Sequence, residues 1–104
     1  MELNNKTRSY IGFAVKAGKV KYGYDNITSS KSAPKLILLY DGAAERTVKN
    51  TQNYAAKTGC QAITISEPPV AGRDCKVLGI YEPELAKAII KENNNINNQN
   101  TEGN

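Results

Sequence analysis

The apolar positions of the chain recur with two different spacings, which predict alternating helices and strands. Between residues 7 and 17, apolar side chains fall on one helical face, and Gly18 follows, where a left-handed glycine can end a helix. The apolar run 35–40 lies between Pro34 and a turn at 41–44, as expected for a central strand covered on both faces. The remaining pattern predicts strands at 20–22, 62–66 and 77–81 and helices at 24–31, 45–58 and 83–92.

This order of elements predicts one domain, residues 1–92, with an α/β fold. Strands separated by helices favour parallel strand pairs, so we expect a three-layer α/β/α sandwich around a four-stranded mixed sheet. Residues 93–104 are nearly all polar, with Ile96 as the only large apolar side chain. Such a segment buries too little apolar surface to offset the entropy of ordering, so we predict a disordered tail.

Short polar side chains near the expected helix starts are candidate N-caps. Thr7 or Asn5 can cap the first helix, and Asp25 or Asn26 can cap the second. We interpret Asp41 as the cap of the third helix rather than as part of a carboxylate pair for acid–base catalysis, because it precedes a helical pattern.

Positive charge is concentrated in the first third of the chain. The 104 residues carry a net charge of +4, but residues 1–35 hold seven bases against two acids, which is an excess of +5. Such an excess predicts an anionic partner, and the alternative is an ordinary solvated helix face.

The absence of histidine and the use of cysteine exclude several classes of chemistry. No histidine is available as a general base or metal ligand, and Cys60 and Cys75 are widely spaced. We therefore expect two free thiols, no metal, no cofactor and no enzymatic activity, with the Cys75 pKa lowered by Arg73 and Lys76. The chain shows neither a secretory signal nor an apolar run of about 18 residues, so we expect a cytoplasmic protein without a membrane partner.

The segment 17–28 joins two helical patterns through a short basic strand. Lys19 and Lys21 alternate with apolar residues, and Gly23 then breaks the strand just before a helix start. Helix N-termini and lysines both attract negative charge, so phosphate is the expected ligand. The alternative is a helix–strand–helix joint with ordinary caps and no ligand.

The chain also resembles a known family over residues 8–91. The matching segments are 11–20, which contains Ala-Gly-Lys-Val, Gly23, 35–39, 47–49, 77–81 and 85–87. Together they resemble the ribosomal L-seven-Ae and L-thirty-e family of kink-turn RNA-binding proteins, especially its small bacterial members. The resemblance implies recognition of structured, sharply bent RNA, ribosomal RNA above all. Members of this family bind it with a short helix that follows a glycine, and a loop before the last strand covers a flipped base.

The resemblance also implies which residues contact RNA. The implied positions are Gly23, Tyr24, Asp25, Asn26 and Ser29 after the basic strand, and Gly72 and Arg73 in the loop before the last strand. Tyr24 can stack on an unpaired base or pack internally, and Arg73 can stack, pair with phosphate or serve as a plain surface arginine. We add Lys19 and Lys21 from the charge pattern.

Four of these positions depart from the family pattern. Strong binders carry a small residue where this chain has Tyr24, Asn where it has Asp25, Glu where it has Asn26, and Lys where it has Ser29. Asp25 adds repulsion from phosphate, and Ser29 removes one phosphate contact. We therefore expect a monomeric, non-enzymatic, ribosome-associated RNA-binding protein with no small-molecule substrate. One alternative is a protein-interaction module on the same fold that has lost RNA binding. The other is an enzyme of unknown type, which the missing histidine and the lack of a catalytic motif disfavour.

Overall fold

A computed structural model describes the backbone of residues 2–102 and the side chains of residues 2–94. Helices and strands alternate through most of the described chain. In order they are α1 Asn5–Lys16, β1 Val20–Tyr22, α2 Tyr24–Thr28, β2 Leu36–Tyr40, α3 Glu45–Thr58, β3 Gln61–Ile65, β4 Val77–Ile80 and α4 Pro83–Glu102.

The four strands form one mixed sheet in the order β1-β4-β2-β3. Strand β4 pairs antiparallel with both β1 and β2, whereas β2 and β3 are parallel. Strand β2 lies inside the sheet, and its first four side chains, at 36–39, are fully buried. This confirms the predicted four-stranded mixed sheet and the central position of its most apolar run.

Helices cover both faces of the sheet, which confirms the α/β/α sandwich. On one face, Ile11 of α1 and Ile89 of α4 belong to a buried cluster with Leu38 of the sheet. On the other face, Ile27 of α2 and Ala55 of α3 pack in a second cluster with sheet residues. No helix in the described part of the chain is both long and apolar enough to cross a membrane.

Two of the predicted helix caps are wrong. Asn4 caps α1, because its side-chain oxygen accepts from the Thr7 backbone N–H at 2.8 Å, one residue earlier than Asn5. Ala44 precedes α3 and makes no side-chain capping bond, while Asp41 lies in the turn that leaves β2. An N-cap must directly precede the first helical residue, and Asp41 lies too far upstream.

Helix α4 begins as its sequence predicts but ends later. The Glu82 carboxylate accepts from the Leu85 N–H at 2.6 Å, which satisfies a free donor of the first turn. The helix then continues to Glu102 rather than ending at 92. Asparagine disfavours a helix by less than about 0.7 kcal/mol per residue, and no proline or glycine interrupts residues 93–102. Residues 103–104 lie outside the described residues, and the domain boundary at 92 stays a prediction.

Replacing Thr51 with valine is expected to stabilise the protein by about 1 kcal/mol. Thr51 on α3 is 1% exposed, and its hydroxyl has no hydrogen-bond partner among the described residues. Valine has nearly the same shape and removes the uncompensated polar group. Thr58→Val is the matched control, because the Thr58 hydroxyl donates to the Tyr54 carbonyl at 2.9 Å. Chemical denaturation should show a gain for the first variant only, and a loss in Thr51→Val would contradict the assignment.

Candidate nucleic-acid interface

A cavity of about 750 Å³ opens where the end of β1, the start of α2, the first half of α3 and the loop before β4 meet. Its lining joins two segments that the sequence singled out separately. From the first segment come Gly23, Tyr24, Asp25 and Asn26, and from the second comes Arg73. We call this the main cavity.

Gly23 sets the direction in which the chain enters α2. Its backbone has φ 88° and ψ 152°, a region that is essentially restricted to glycine. Its N–H donates to the Val77 carbonyl at 2.8 Å, and its carbonyl accepts from the Ile27 N–H at 3.1 Å. The glycine therefore ties the start of α2 to strand β4 on one wall of the main cavity.

The predicted side-chain cap of α2 is wrong. Gly23 is the N-cap residue and has no side chain to accept a hydrogen bond, because the helix already begins at Tyr24. Asp25 and Asn26 lie inside the first turn instead. The Asn26 amide donates to the Tyr22 carbonyl at 2.6 Å. This bond fixes the Asn26 side chain at the edge of the main cavity, whereas the Asp25 carboxylate is exposed.

The Arg73 guanidinium, in the loop before β4, lies over the Tyr22 ring of strand β1. Its guanidinium carbon lies 3.7 Å from the centre of the Tyr22 ring. The loop that carries it turns at Gly72, with φ 76°, and is closed by a hydrogen bond from the Cys75 N–H to the Arg73 carbonyl at 2.9 Å. Arg73 itself is exposed, so the guanidinium is held at one face by the ring and remains accessible from solvent.

The loop and the Gly23 turn meet at one carbonyl group. The Cys75 thiol donates to the Val77 carbonyl at 3.0 Å, and the Gly23 N–H donates to the same oxygen. Burial raises the pKa of Cys75, and the hydrogen bonds and the charge of Arg73 only partly oppose that effect. The predicted lowering of this pKa is therefore wrong, and Cys75 has the environment of a structural thiol.

Positive charge in the main cavity comes chiefly from two arginines. Arg46 at the start of α3 and Arg73 are both exposed cations, and Asp25 is an exposed carboxylate beside them. Lys76 also lines the cavity, but its ammonium lies 3.1 Å from the Asp74 carboxylate, which offsets its charge. The cavity therefore offers charged donors for an anion, together with the Asp25 carboxylate that repels it and the Asp74 carboxylate that is paired with Lys76.

The other predicted site residues lie around this cavity rather than in it. Lys21 and Ser29 line a neighbouring hollow of about 300 Å³, which shares Tyr22 and Asn26 with the main cavity. Lys19 is exposed and lies outside both hollows. Gly72 lines a further hollow of about 450 Å³, to which Arg73 also contributes. The predicted residues thus form a broad surface with the main cavity at its centre.

Tyr24 takes part in packing and also lines the main cavity. Its ring meets that of Tyr54 on α3 edge to face, with the ring centres 6.5 Å apart and the planes at 78°. Both residues are partly exposed. The packing role and the accessible role of Tyr24 are therefore compatible.

Helix α3 supplies residues to the main cavity that were not among the predicted site residues. Arg46, Thr47 and Asn50 all line the main cavity from this helix. The spacing of four residues places Arg46 and Asn50 on one helical face, away from buried Ala55, and Thr47 lies at the edge of this face nearest buried Thr51. That polar stripe is the signal in the sequence that could have identified them. Within residues 2–94, no three His, Cys, Asp or Glu side chains are grouped so as to hold a metal ion.

Comparisons with known proteins give information on the fold but not on the function. No protein-family model matches the chain, and no curated protein matches it significantly. Among solved structures, a protein of unknown function from Bacillus halodurans superposes with a TM-score of 0.77 at 14% sequence identity. The match covers 85% of this chain and 96% of that protein. The two proteins share a fold over nearly the whole of the bacterial protein.

Proposed function

We propose that this chain is a non-enzymatic, monomeric RNA-binding protein that recognises sharply bent, structured RNA of the kink-turn type in the cytoplasm. Ribosomal RNA is the first candidate. The observation that carries the proposal is the position of Arg73 over the Tyr22 ring beside the Gly23 turn, in the lining of the main cavity. The family resemblance of these same segments supports it.

The chemistry of the main cavity suits unpaired nucleotides. An arginine that lies over a tyrosine ring can offer its other side to a base, and a stacked base needs no particular sequence. The N–H groups at the edge of the same guanidinium can donate to phosphate. Arg46 supplies a second cation across the cavity, and Asn50 supplies an amide able to pair with a base edge.

A protein-interaction module on the same fold is the second candidate. The observation that favours it is the exposed Asp25 carboxylate, which stands where strong RNA binders of the resembled family carry an amide. Phe13 on α1 also exposes 57% of its surface, although it belongs to the opposite helical layer. The first candidate predicts that the protein binds bent RNA, and the second predicts that it does not.

A salt-dependent titration with a labelled kink-turn RNA tests the proposal. We expect tight binding at about 50 mM salt that weakens steeply by about 200 mM, because each neutralised phosphate releases counterions. Lys19→Ala or Lys21→Ala should weaken binding and flatten the plot of log affinity against log salt by up to about one unit per full contact. Lys91→Ala on α4, in the opposite helical layer, is the matched control.

Three results would contradict the proposal in different ways. If the parent protein fails to bind bent RNA at either salt concentration, the interaction-module candidate takes precedence. If Lys91→Ala flattens the salt slope as much as Lys21→Ala does, binding is a diffuse charge effect. If neither Lys19→Ala nor Lys21→Ala changes the affinity or the salt slope, the RNA surface is elsewhere or absent, and the interaction-module candidate takes precedence.

A further inference from the structure

A second hollow of about 430 Å³ continues the main cavity along α3. It is lined by Tyr24, Thr28, Asn50, Asn53, Tyr54 and Lys57. Tyr24 and Asn50 line both spaces, so the two are adjacent and share a wall. None of the six lining residues carries a carboxylate, whereas the main cavity contains Asp25 and Asp74. We call this space the α3 hollow.

One stripe of α3 connects the two spaces. Arg46, Asn50, Asn53 and Lys57 follow at spacings of four, three and four residues, which places them along one face of the helix. At a rise of 1.5 Å per residue, this stripe is about 16 Å long. Both of its ends are cationic and its middle is formed by amides. A nucleic-acid strand laid along it would meet cations for phosphate and amides for base edges.

The aromatic pair in the α3 hollow supplies surfaces on which unpaired bases can stack. Tyr24 and Tyr54 meet edge to face with ring centres 6.5 Å apart, and each is partly exposed. Each ring is thus fixed by the other while part of its surface faces solvent. Burial raises the pKa of Tyr54, and nearby Tyr81 adds to the effect, so its phenol stays neutral and adds no repulsion toward phosphate.

We propose that the α3 hollow is a second RNA subsite, which binds unpaired nucleotides that continue from the bent RNA in the main cavity. The inference rests on the proposed function and names the substrate more closely, as a bent RNA with a single-stranded extension. Combined aromatic stacking and positive charge are the means by which proteins hold single strands without reading sequence. The subsite is accordingly tolerant of base identity.

The test compares four RNAs. The first is a kink-turn RNA with paired ends, the second and the third carry three unpaired nucleotides at one end and at the other, and the fourth is a short single strand alone. We expect an extension at one of the two ends to tighten binding by about fivefold or more, as expected for one stacked base. The extension at the opposite end should add little.

Variants of α3 test whether the α3 hollow causes the gain in affinity from the extension. Tyr54→Leu keeps an apolar contact with Tyr24 but removes the aromatic face, so the ratio of the affinities for the extended and the paired-end RNA should fall to about one. Tyr54→Phe should retain the gain, because it retains the ring. Lys57→Gln should reduce the gain and flatten the salt slope for the extended RNA by about 0.7. Lys91→Gln on α4 is the control.

The outcomes separate this inference from the proposed function. If the paired-end RNA binds but neither extension tightens binding, the second subsite is overturned and the proposed function stands. If the gain survives both Tyr54→Leu and Lys57→Gln, the extension binds elsewhere and the inference is again overturned. If the paired-end RNA fails to bind but the single strand binds in a manner that requires Tyr54, the subsite stands and the proposed function falls. If none of the four RNAs binds, both the second subsite and the proposed function are overturned.

Discussion

Replacing Gly23 with valine is expected to abolish RNA binding and to lower the free energy of unfolding by about 1–3 kcal/mol. With φ 88° and ψ 152°, Gly23 occupies a backbone region that a β-branched residue enters only under strain. An added Cβ would meet no heavy atom within 4 Å, so the cost comes from the backbone and not from a clash. Relief of the strain would move the start of α2 and break the hydrogen bond from Gly23 to Val77.

Gly59→Asn is the matched control for this prediction. Gly59 also has a positive φ, but its values of 73° and 13° lie in the left-handed helical region, which asparagine tolerates. It ends α3 and lies outside the main cavity. Thermal unfolding and RNA titration should show small changes for this variant. A Gly23→Val protein with the parent melting temperature and affinity would show that the turn is neither strained nor part of the interface.

The fold was predictable where local pattern and tertiary environment agree. The run 36–39 predicted a central strand because apolar residues on both faces of a strand require cover on both faces. Strand order was not predictable in the same way, since the pairing of β4 between β1 and β2 joins segments far apart in the chain. The predictions of helix caps were wrong for a local reason. A capping residue must directly precede the first helical residue, and the apolar pattern does not locate the first helical residue that closely.

The sequence pointed to segments that line the main cavity, but it did not predict the contacts between their side chains. The resemblance pointed to Gly23 and Arg73, and both line the main cavity. The stack of Arg73 on Tyr22 joins residues about fifty positions apart, and no spacing rule within one segment reports it. The prediction of a lowered Cys75 pKa was wrong because it rested on charged neighbours in the sequence. Burial, which depends on the whole fold, raises the pKa. Arg46 and Asn50 were missed because a polar helix face is typical of any solvated helix.

Replacing Arg73 with alanine is expected to weaken binding of bent RNA by about tenfold to a hundredfold. The variant loses both the stacking surface and a cation, so the salt slope should flatten as well. Stability should change little, because an exposed cation–π pair such as Arg73 on Tyr22 contributes about 0.5–1 kcal/mol. A near-normal melting temperature together with a large loss of affinity would distinguish an interface residue from a structural one.

Arg73→Lys separates stacking from charge. Lysine keeps the positive charge but lacks the planar guanidinium, so we expect the parent salt slope with an affinity between those of the parent and the alanine variant. Asp25→Asn should act in the opposite direction, because it removes a carboxylate that repels phosphate and supplies an amide that can donate as well as accept. If Arg73→Lys binds as tightly as the parent, Arg73 acts only as a point charge, and no base stacks on the platform that Tyr22 supports.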